Sequence, residues 1–262
     1  MSAFHDLHRP GDPFVLVNVW DRGTARVAAG VGARAIATSS AALAFTLGRA
    51  DGGATLQDTL DHAHALAAAT DLPLAIDFED GFAADPGDVA AHVARAAETG
   101  AAGVSVEDWR RDGSGVHDAE LAVERVAAAA EAARAAGLHL TARADGVLRG
   151  AYDAAETVRR LAAFAEAGAD CLYAPMLPDA GALAEVVALG RPVNALAAGP
   201  WLEWDLPRWA EAGVARVSLG TTLAGVARRA VLDGARAAAE GRLSDLAHRP
   251  TGGEIAAMLE DG

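Results

Sequence analysis

Apolar runs of six or seven residues recur along the chain, and each is followed by a longer Ala-rich stretch with apolar positions at helical spacing. The runs are FVLVNVW (14–20), ARAIATS (33–39), LPLAIDF (72–78), AAGVSVE (101–107), HLTARA (139–144), DCLYAP (170–175), PVNALA (192–197) and ARVSLG (215–220). Several helical stretches end on a glycine that leads straight into the next run, as in ETGAAG, AAGLHL, EAGADC and EAGVAR. Glycine just past a helix end is C-cap chemistry. Eight strand–helix units in succession imply a parallel sheet with right-handed crossovers. At 262 residues they predict one closed (β/α)8 TIM barrel over residues 1–262, with additional C-terminal helices ending in GGEIAAMLEDG. The competing architecture is an open doubly wound sheet. It is weakened by the lack of a G-x-G-x-x-G after the first strand. The segment beyond residue 240 is compatible with exchange of helices between subunits.

Composition narrows what such a barrel can do. Hydrophobic residues make up 52% of the chain, enough for a large core. The net charge of −14 argues against nucleic acid or an anionic membrane as partner. There is no lysine, which rules out Schiff-base chemistry on a lysine of this chain. The lone cysteine, Cys171, lies in an apolar run and reads as an inert core thiol, and a single cysteine forms no intrachain disulfide. No signal-like start and no uniform membrane-length apolar run is present, so a cytoplasmic protein is expected.

Active sites of TIM barrels lie at the C-terminal ends of the strands. Those ends deliver Asn18, Trp20 and Asp21; Thr38, Ser39 and Ser40; Asp77, Glu79 and Asp80; Glu107 and Asp108; Arg143 and Asp145; Pro175; Asn194; and Ser218, Gly220 and Thr221. Side chains alternate along a strand, so Asp77 and Glu79 are expected on one face, beside Glu107 of the neighbouring strand. Carboxylates gathered at one rim repel unless a cation sits among them. Oxygen ligands without cysteine or histidine suit Mg²⁺, or Mn²⁺, better than zinc. The alternative is that these are ordinary loop acids or helix caps, as Asp80 and Asp108 read. Arg143 could balance the acids as an ion pair or bind a substrate carboxylate or phosphoryl group bidentately. Ser39 and Ser40 could offer hydroxyl and backbone donors to an anion, or simply cap a turn. The stretch AALAFTLGRADGG after them reads as a mobile lid that carries Asp51.

The motifs NVWD (18–21), ATSSAALAFTLGRADG (37–52), IDFEDGF (76–82), GVSVED (103–108), ARADG (142–146) and VNALA (193–197) occur in order and in step with the strands. As a set they resemble the isocitrate lyase / phosphoenolpyruvate mutase superfamily over residues 14–225 or so. The resemblance implies a (β/α)8 barrel, a homodimer or homotetramer that often exchanges its last helix, and Mg²⁺ at Asp77, Glu79 and Glu107. It implies that Arg143 grips the substrate, that Ser39, Ser40 and Ala41 hold its carboxylate, and that Asp51 is a catalytic loop residue. Trp20 and Asn194 complete the expected substrate contacts. Two positions depart from the superfamily pattern: Glu79 stands where the phosphonate enzymes have Asp, and Ser40 where Gly is usual. The loop after the fourth strand, DWRRDGSGVHD, lacks the K-K-C-G-H motif of the isocitrate and methylisocitrate lyases, which argues against isocitrate cleavage.

The function expected from this reading is Mg²⁺-dependent cleavage of a C–C or P–C bond in a small 2-oxo or 2-hydroxy carboxylic acid, through an enolate. The rivals are a metal-dependent barrel aldolase that binds phosphate at SLGTTL (218–223), and a degenerate family member that only binds a metabolite.

Overall fold

The structure is a computed structural model and describes residues 3–260. Eight parallel strands close into a barrel in chain order: β1 Phe14–Asn18, β2 Ile36–Ala37, β3 Leu74–Asp77, β4 Gly103–Glu107, β5 His139–Arg143, β6 Cys171–Tyr173, β7 Val193–Leu196 and β8 Arg216–Ser218. Each strand falls inside its predicted run and is shorter. Several of the apolar surplus residues, such as Val19 at 1% exposure, pack beneath helices and do not join the ladder.

Alternation along the strands separates two interiors. Ser105, Glu107, Thr141 and Arg143 line the barrel axis. Val106, Leu140, Ala142 and Leu172 join the apolar layer between barrel and helices. The helices that form the outer ring begin on acids: Asp21, Asp85, Asp153, Asp179 and Asp205 each accept a backbone N–H of the first turn. These five acids are therefore spent on capping rather than chemistry. The helix Ala119–Ala136 ends on Gly137 at φ 73°, a left-handed residue that turns the chain into β5.

Two terminal features shape the rest. A short helix, Ala3–Asp6, which the hydrophobic pattern does not predict, places Phe4 against the floor of the barrel at 1% exposure. Gly103 makes room for it: a Cβ there would meet the Phe4 ring at 2.8 Å and the His139 carbonyl at 3.0 Å. At the other end, the helix Gly252–Glu260 packs on the helix Arg22–Gly30 of the same chain, where Arg26 Nη1 donates to the Leu259 carbonyl at 2.8 Å. The preceding helix, Thr222–Ala239, buries only Ala224 and Ala237 and leaves Val226 and Val231 exposed. Among the described residues no helix is long and apolar enough to cross a membrane.

Candidate functional site

A cavity of about 280 Å³ runs down the barrel axis, from Ser39, Asp51, Asp77, Glu107 and Arg143 at the mouth to His139 and Arg216 near the floor. Its mouth is set by strand register. Glu107 is level with Arg143, and Asp77 is level with Ser105, two residues before Glu107. Arg143 thus stands between acids from both sides. Its Nη1 donates to Asp77 Oδ1 at 2.7 Å, and its Nη2 lies 2.9 Å from Glu107 Oε2. Asp145, two residues on, takes Nε and Nη2 at 3.2 and 3.0 Å, a fork that fixes the plane of the guanidinium.

One cation thus faces three carboxylates. Burial disfavours the Arg143 charge, but Asp145, Glu107 and Asp77 outweigh it and hold the group well above its ordinary value. Burial drives Glu107 well up, and Asp145, Asp77 and Glu79 add to that against the pull of Arg143. Three carboxyl groups therefore share one arginine at the mouth, and the raised affinity of Glu107 for a proton is the response to that crowding.

Backbone and buried side chains hold this arrangement. Asp77 Oδ2 accepts from Ser40 N at 2.9 Å, and Asp77 N donates to Thr38 Oγ1 at 2.8 Å. Ser39 is the N-cap of the helix Ser40–Thr46, with Oγ accepting from Ala42 N. Ala41 lines the cavity, and its carbonyl accepts from Arg228 Nη2 at 3.2 Å. Arg125, 1% exposed, donates to the carbonyls of Glu107, Ala83 and Asp80, which fixes the turns after β3 and β4. Asp108 accepts from Asp145 N at 2.9 Å, Tyr152 OH at 2.6 Å and Arg160 Nη1 at 3.1 Å, and so sets the position of Asp145.

Four expectations need correction. Glu79 does not continue β3: the strand stops at Asp77, and Glu79 takes φ +48°, which ends the alternation. Its Oε2 pairs with Arg111 Nε at 2.7 Å, and it is not among the residues lining the cavity. Trp20 lies two residues past the end of β1 and lines a separate depression with Phe45 and Arg228, outside the central cavity. Asn194 does line the cavity, but its amide is committed to Ser218 Oγ (2.9 Å) and Arg216 (2.8 Å). The long lid is largely the helix Ser40–Thr46, and the remaining loop is tied down. Arg111 donates to the carbonyls of Gly52 and Ala54, and Arg49 pairs with Asp58 at 2.7 Å.

Asp51 sits on that loop with its side chain half exposed, lines the mouth, and has Arg149 Nη2 as its nearest cation at 3.9 Å. Asp145, expected at the rim without a role, orients Arg143 from just past the end of β5. Tyr173, whose ring lies 5.1 Å from the guanidinium carbon, is missing from the expected site, although alternation from Cys171 on β6 turns it inward.

The donor chemistry fits a hard divalent cation. Asp77 and Glu107 line the cavity where three carboxyl groups share the one Arg143, and Glu79 Oε1 is buried without a hydrogen-bond partner among the described residues. Among the described residues no three His, Cys, Asp or Glu side chains form a ready cage. Mg²⁺ asks for no such cage, since it keeps several waters and commonly takes one or two carboxylates.

A family model described as phosphoenolpyruvate phosphomutase matches residues 4–239. An uncharacterised protein of Mycobacterium tuberculosis (strain ATCC 25618 / H37Rv) is 32% identical over 91% of this chain and 90% of its own length. The 2-methylisocitrate lyase of Escherichia coli (strain K12) is 30% identical over 64% of this chain and 62% of that protein. Among solved structures, an inferred lyase/mutase from Burkholderia cenocepacia J2315 superposes with a TM-score of 0.90 at 41% identity, covering 97% of this chain and 93% of that one.

Proposed function

The chain belongs to the phosphoenolpyruvate phosphomutase family, within the isocitrate lyase / phosphoenolpyruvate mutase superfamily of lyases, mutases and hydrolases, and on that premise we propose that it is a Mg²⁺-dependent lyase. It cleaves a C–C or P–C bond of a small 2-oxo or 2-hydroxy carboxylic acid through an enolate. The observation that carries this reading is the Arg143 guanidinium held between Asp77 and Glu107 inside a cavity of about 280 Å³. That volume suits a small acid and not a nucleotide or a polymer.

Asp77 and Glu107 would hold the metal, with Glu79 contributing through water. When bound, the cation supplies Lewis-acid stabilisation of the negative charge that develops next to the carboxylate. Arg143, kept in plane by Asp145, orients the substrate carboxylate, and Ser39, Ser40 and Ala41 border the same end of the cavity. Asp51, at the rim on a loop stapled by Arg111, would move a proton to or from the reacting atoms. The loop WRRDG, whose Arg111 serves as that staple, holds neither Lys nor Cys. The lyase motif is thus replaced by a structural clasp, and this argues for a substrate other than isocitrate.

The rest of the reading is a soluble cytoplasmic homo-oligomer. The exposed Val226 and Val231 on the helix Thr222–Ala239 support a second copy of the chain as the group that covers them.

Calorimetric titration with Mg²⁺ and oxalate tests the site. Asp77→Ala is expected to abolish Mg²⁺ binding while the far-UV spectrum stays native, and unchanged affinity would remove Asp77 from the site. On whichever 2-oxo acid is turned over, Asp51→Ala is expected to lower kcat at least about tenfold with ligand affinity retained.

A further inference from the structure

A second arginine lines the same cavity near its floor, with the opposite surroundings. Arg216 on β8 is 4% exposed. Its Nε donates to Asn194 Oδ1 at 2.8 Å, its Nη2 to Thr141 Oγ1 at 3.1 Å, and its Nη1 meets His8 Nε2 at 2.9 Å. A guanidinium accepts nothing, so His8 Nε2 is the acceptor and the His8 proton sits on Nδ1, donating to the Phe4 carbonyl at 2.9 Å. All three partners of Arg216 are therefore neutral. Among the described residues the acids that act on its charge are Cys171 and Tyr173. Burial pushes the Cys171 thiol up and the Tyr173 phenol up to about 12, so neither is ionised near neutrality.

A guanidinium carries five N–H donors, and three are engaged here. One hydrogen on each Nη is left without an acceptor among the described residues. Beside it, His139 precedes Thr141 by two positions on the inward face of β5 and is 2% exposed. Its ring stacks on His8 with centroids 3.9 Å apart, and its Nδ1 is buried with no hydrogen-bond partner. A full charge buried among neutral groups with donors to spare is costly unless something negative joins it.

We propose that the barrel interior binds one monovalent halide ion, chloride under physiological conditions, against Arg216 and His139. The two free guanidinium hydrogens and the imidazole Nδ1–H supply three donors, enough for a monatomic anion. Its single charge cancels the single charge of Arg216. Phosphate or sulfate would bring excess charge and further oxygens to a lining that there includes Phe4, Leu16 and Ala75, which offer them no donor side chains. The cavity that opens at the mouth gives the ion its way in. The site is independent of the proposed lyase chemistry, since none of its residues touches the Asp77–Glu107–Arg143 group through a hydrogen bond.

Crystals of the intact protein grown in gluconate and soaked in sodium bromide decide the matter at the bromine absorption edge. The expected result is an anomalous peak in contact with Arg216 Nη1 and Nη2 and with the His139 ring. Melting in solution gives a second reading: at constant ionic strength, bromide or chloride raises Tm relative to gluconate. His139→Phe preserves ring packing and is expected to weaken the apparent halide affinity at least about tenfold, equivalent to about 1.4 kcal/mol. Arg216→Met is expected to lose the halide-dependent part of Tm altogether; should it not fold, His139→Phe carries the decision. No bromide at Arg216, or a melting curve of the wild type indifferent to halide, overturns the proposal. So does a soaked oxalate carboxylate that occupies the same position and excludes bromide, which would make the floor part of the substrate site.

Discussion

The mouth and the floor of this barrel each hold a buried arginine, and the two differ in what surrounds them. Arg143 has Asp77, Glu107 and Asp145 within hydrogen-bond reach and too little positive charge to go round. Arg216 has Asn194, His8 and Thr141, all neutral, and no negative charge at all. The net charge of −14 conceals this, because many acids are spent on helix caps at the surface. Local imbalance, of opposite sign at the two ends, marks where each end would take an ion from outside. The mouth suits a cation and an acid substrate, and the floor suits an anion.

The largest expected effect is acid destabilisation centred on the floor. Burial, with Arg216 and His5 adding to it and against the Phe4 carbonyl, lowers His8 from 6.5 to about 3. Between those values the unfolded chain binds the proton first, so the contribution is intact above pH 6.5 and is lost as pH falls towards 3. The slope reaches about 1.4 kcal/mol per pH unit and the whole amounts to about 5 kcal/mol at most. His8→Gln keeps an acceptor for Arg216 and a donor for Phe4 but does not titrate. Urea unfolding from pH 7 to pH 4 should show wild type losing stability faster than this variant. Parallel curves would mean that His8 is protonated in the folded protein, and the contrast between mouth and floor would fail.

Arginine removal at the two ends tests the contrast directly. Arg143→Met strands three carboxylates and is expected to cost about 3–5 kcal/mol in urea unfolding. Arg216→Met removes a charge that no acid faces and leaves only neutral groups without a donor, so about 1–3 kcal/mol is expected. Divalent cation should restore part of the Arg143→Met loss and none of the Arg216→Met loss. Equal costs would mean that Arg216 has a counter-charge not accounted for by its neutral partners.

Much of this was readable from the chain. Parallel strands covered on both faces leave continuous apolar runs, which is why all eight appear in the pattern, and polar residues that end such runs announce the rim. Asp77, Glu107 and Arg143 were found that way. Glu79 was misplaced because alternation holds only while the strand continues, and its left-handed backbone is set by the turn that Arg125 and Arg111 hold from elsewhere in the chain. Arg125 is not among the residues that the strand ends single out, although Ala122, Val126 and Ala129 put it on the buried stripe of its helix. The helix Ala3–Asp6 is too short to show a period, so Phe4 and His8 leave no sequence signature, and although alternation from Arg143 turns His139 inward on β5, nothing in the sequence brings it together with His8 and Arg216.

The smallest expected effect concerns Cys171, which with Tyr173 is one of two acidic groups that act on the Arg216 charge. It is fully buried in β6, and although Arg216 favours the thiolate, burial prevails and raises the thiol above its usual value. A neutral thiol leaves the Arg216 charge uncompensated, so Cys171→Ala should change little: about 1 kcal/mol of lost packing, with the halide dependence of Tm and the turnover both retained. The native thiol should react with iodoacetamide only as fast as the protein unfolds. Rapid alkylation in the folded state, or a halide effect that grows sharply when Cys171 is removed, would show a thiolate already paired with Arg216. The two ends of the barrel would then be alike after all, each an ion pair made from the protein's own side chains.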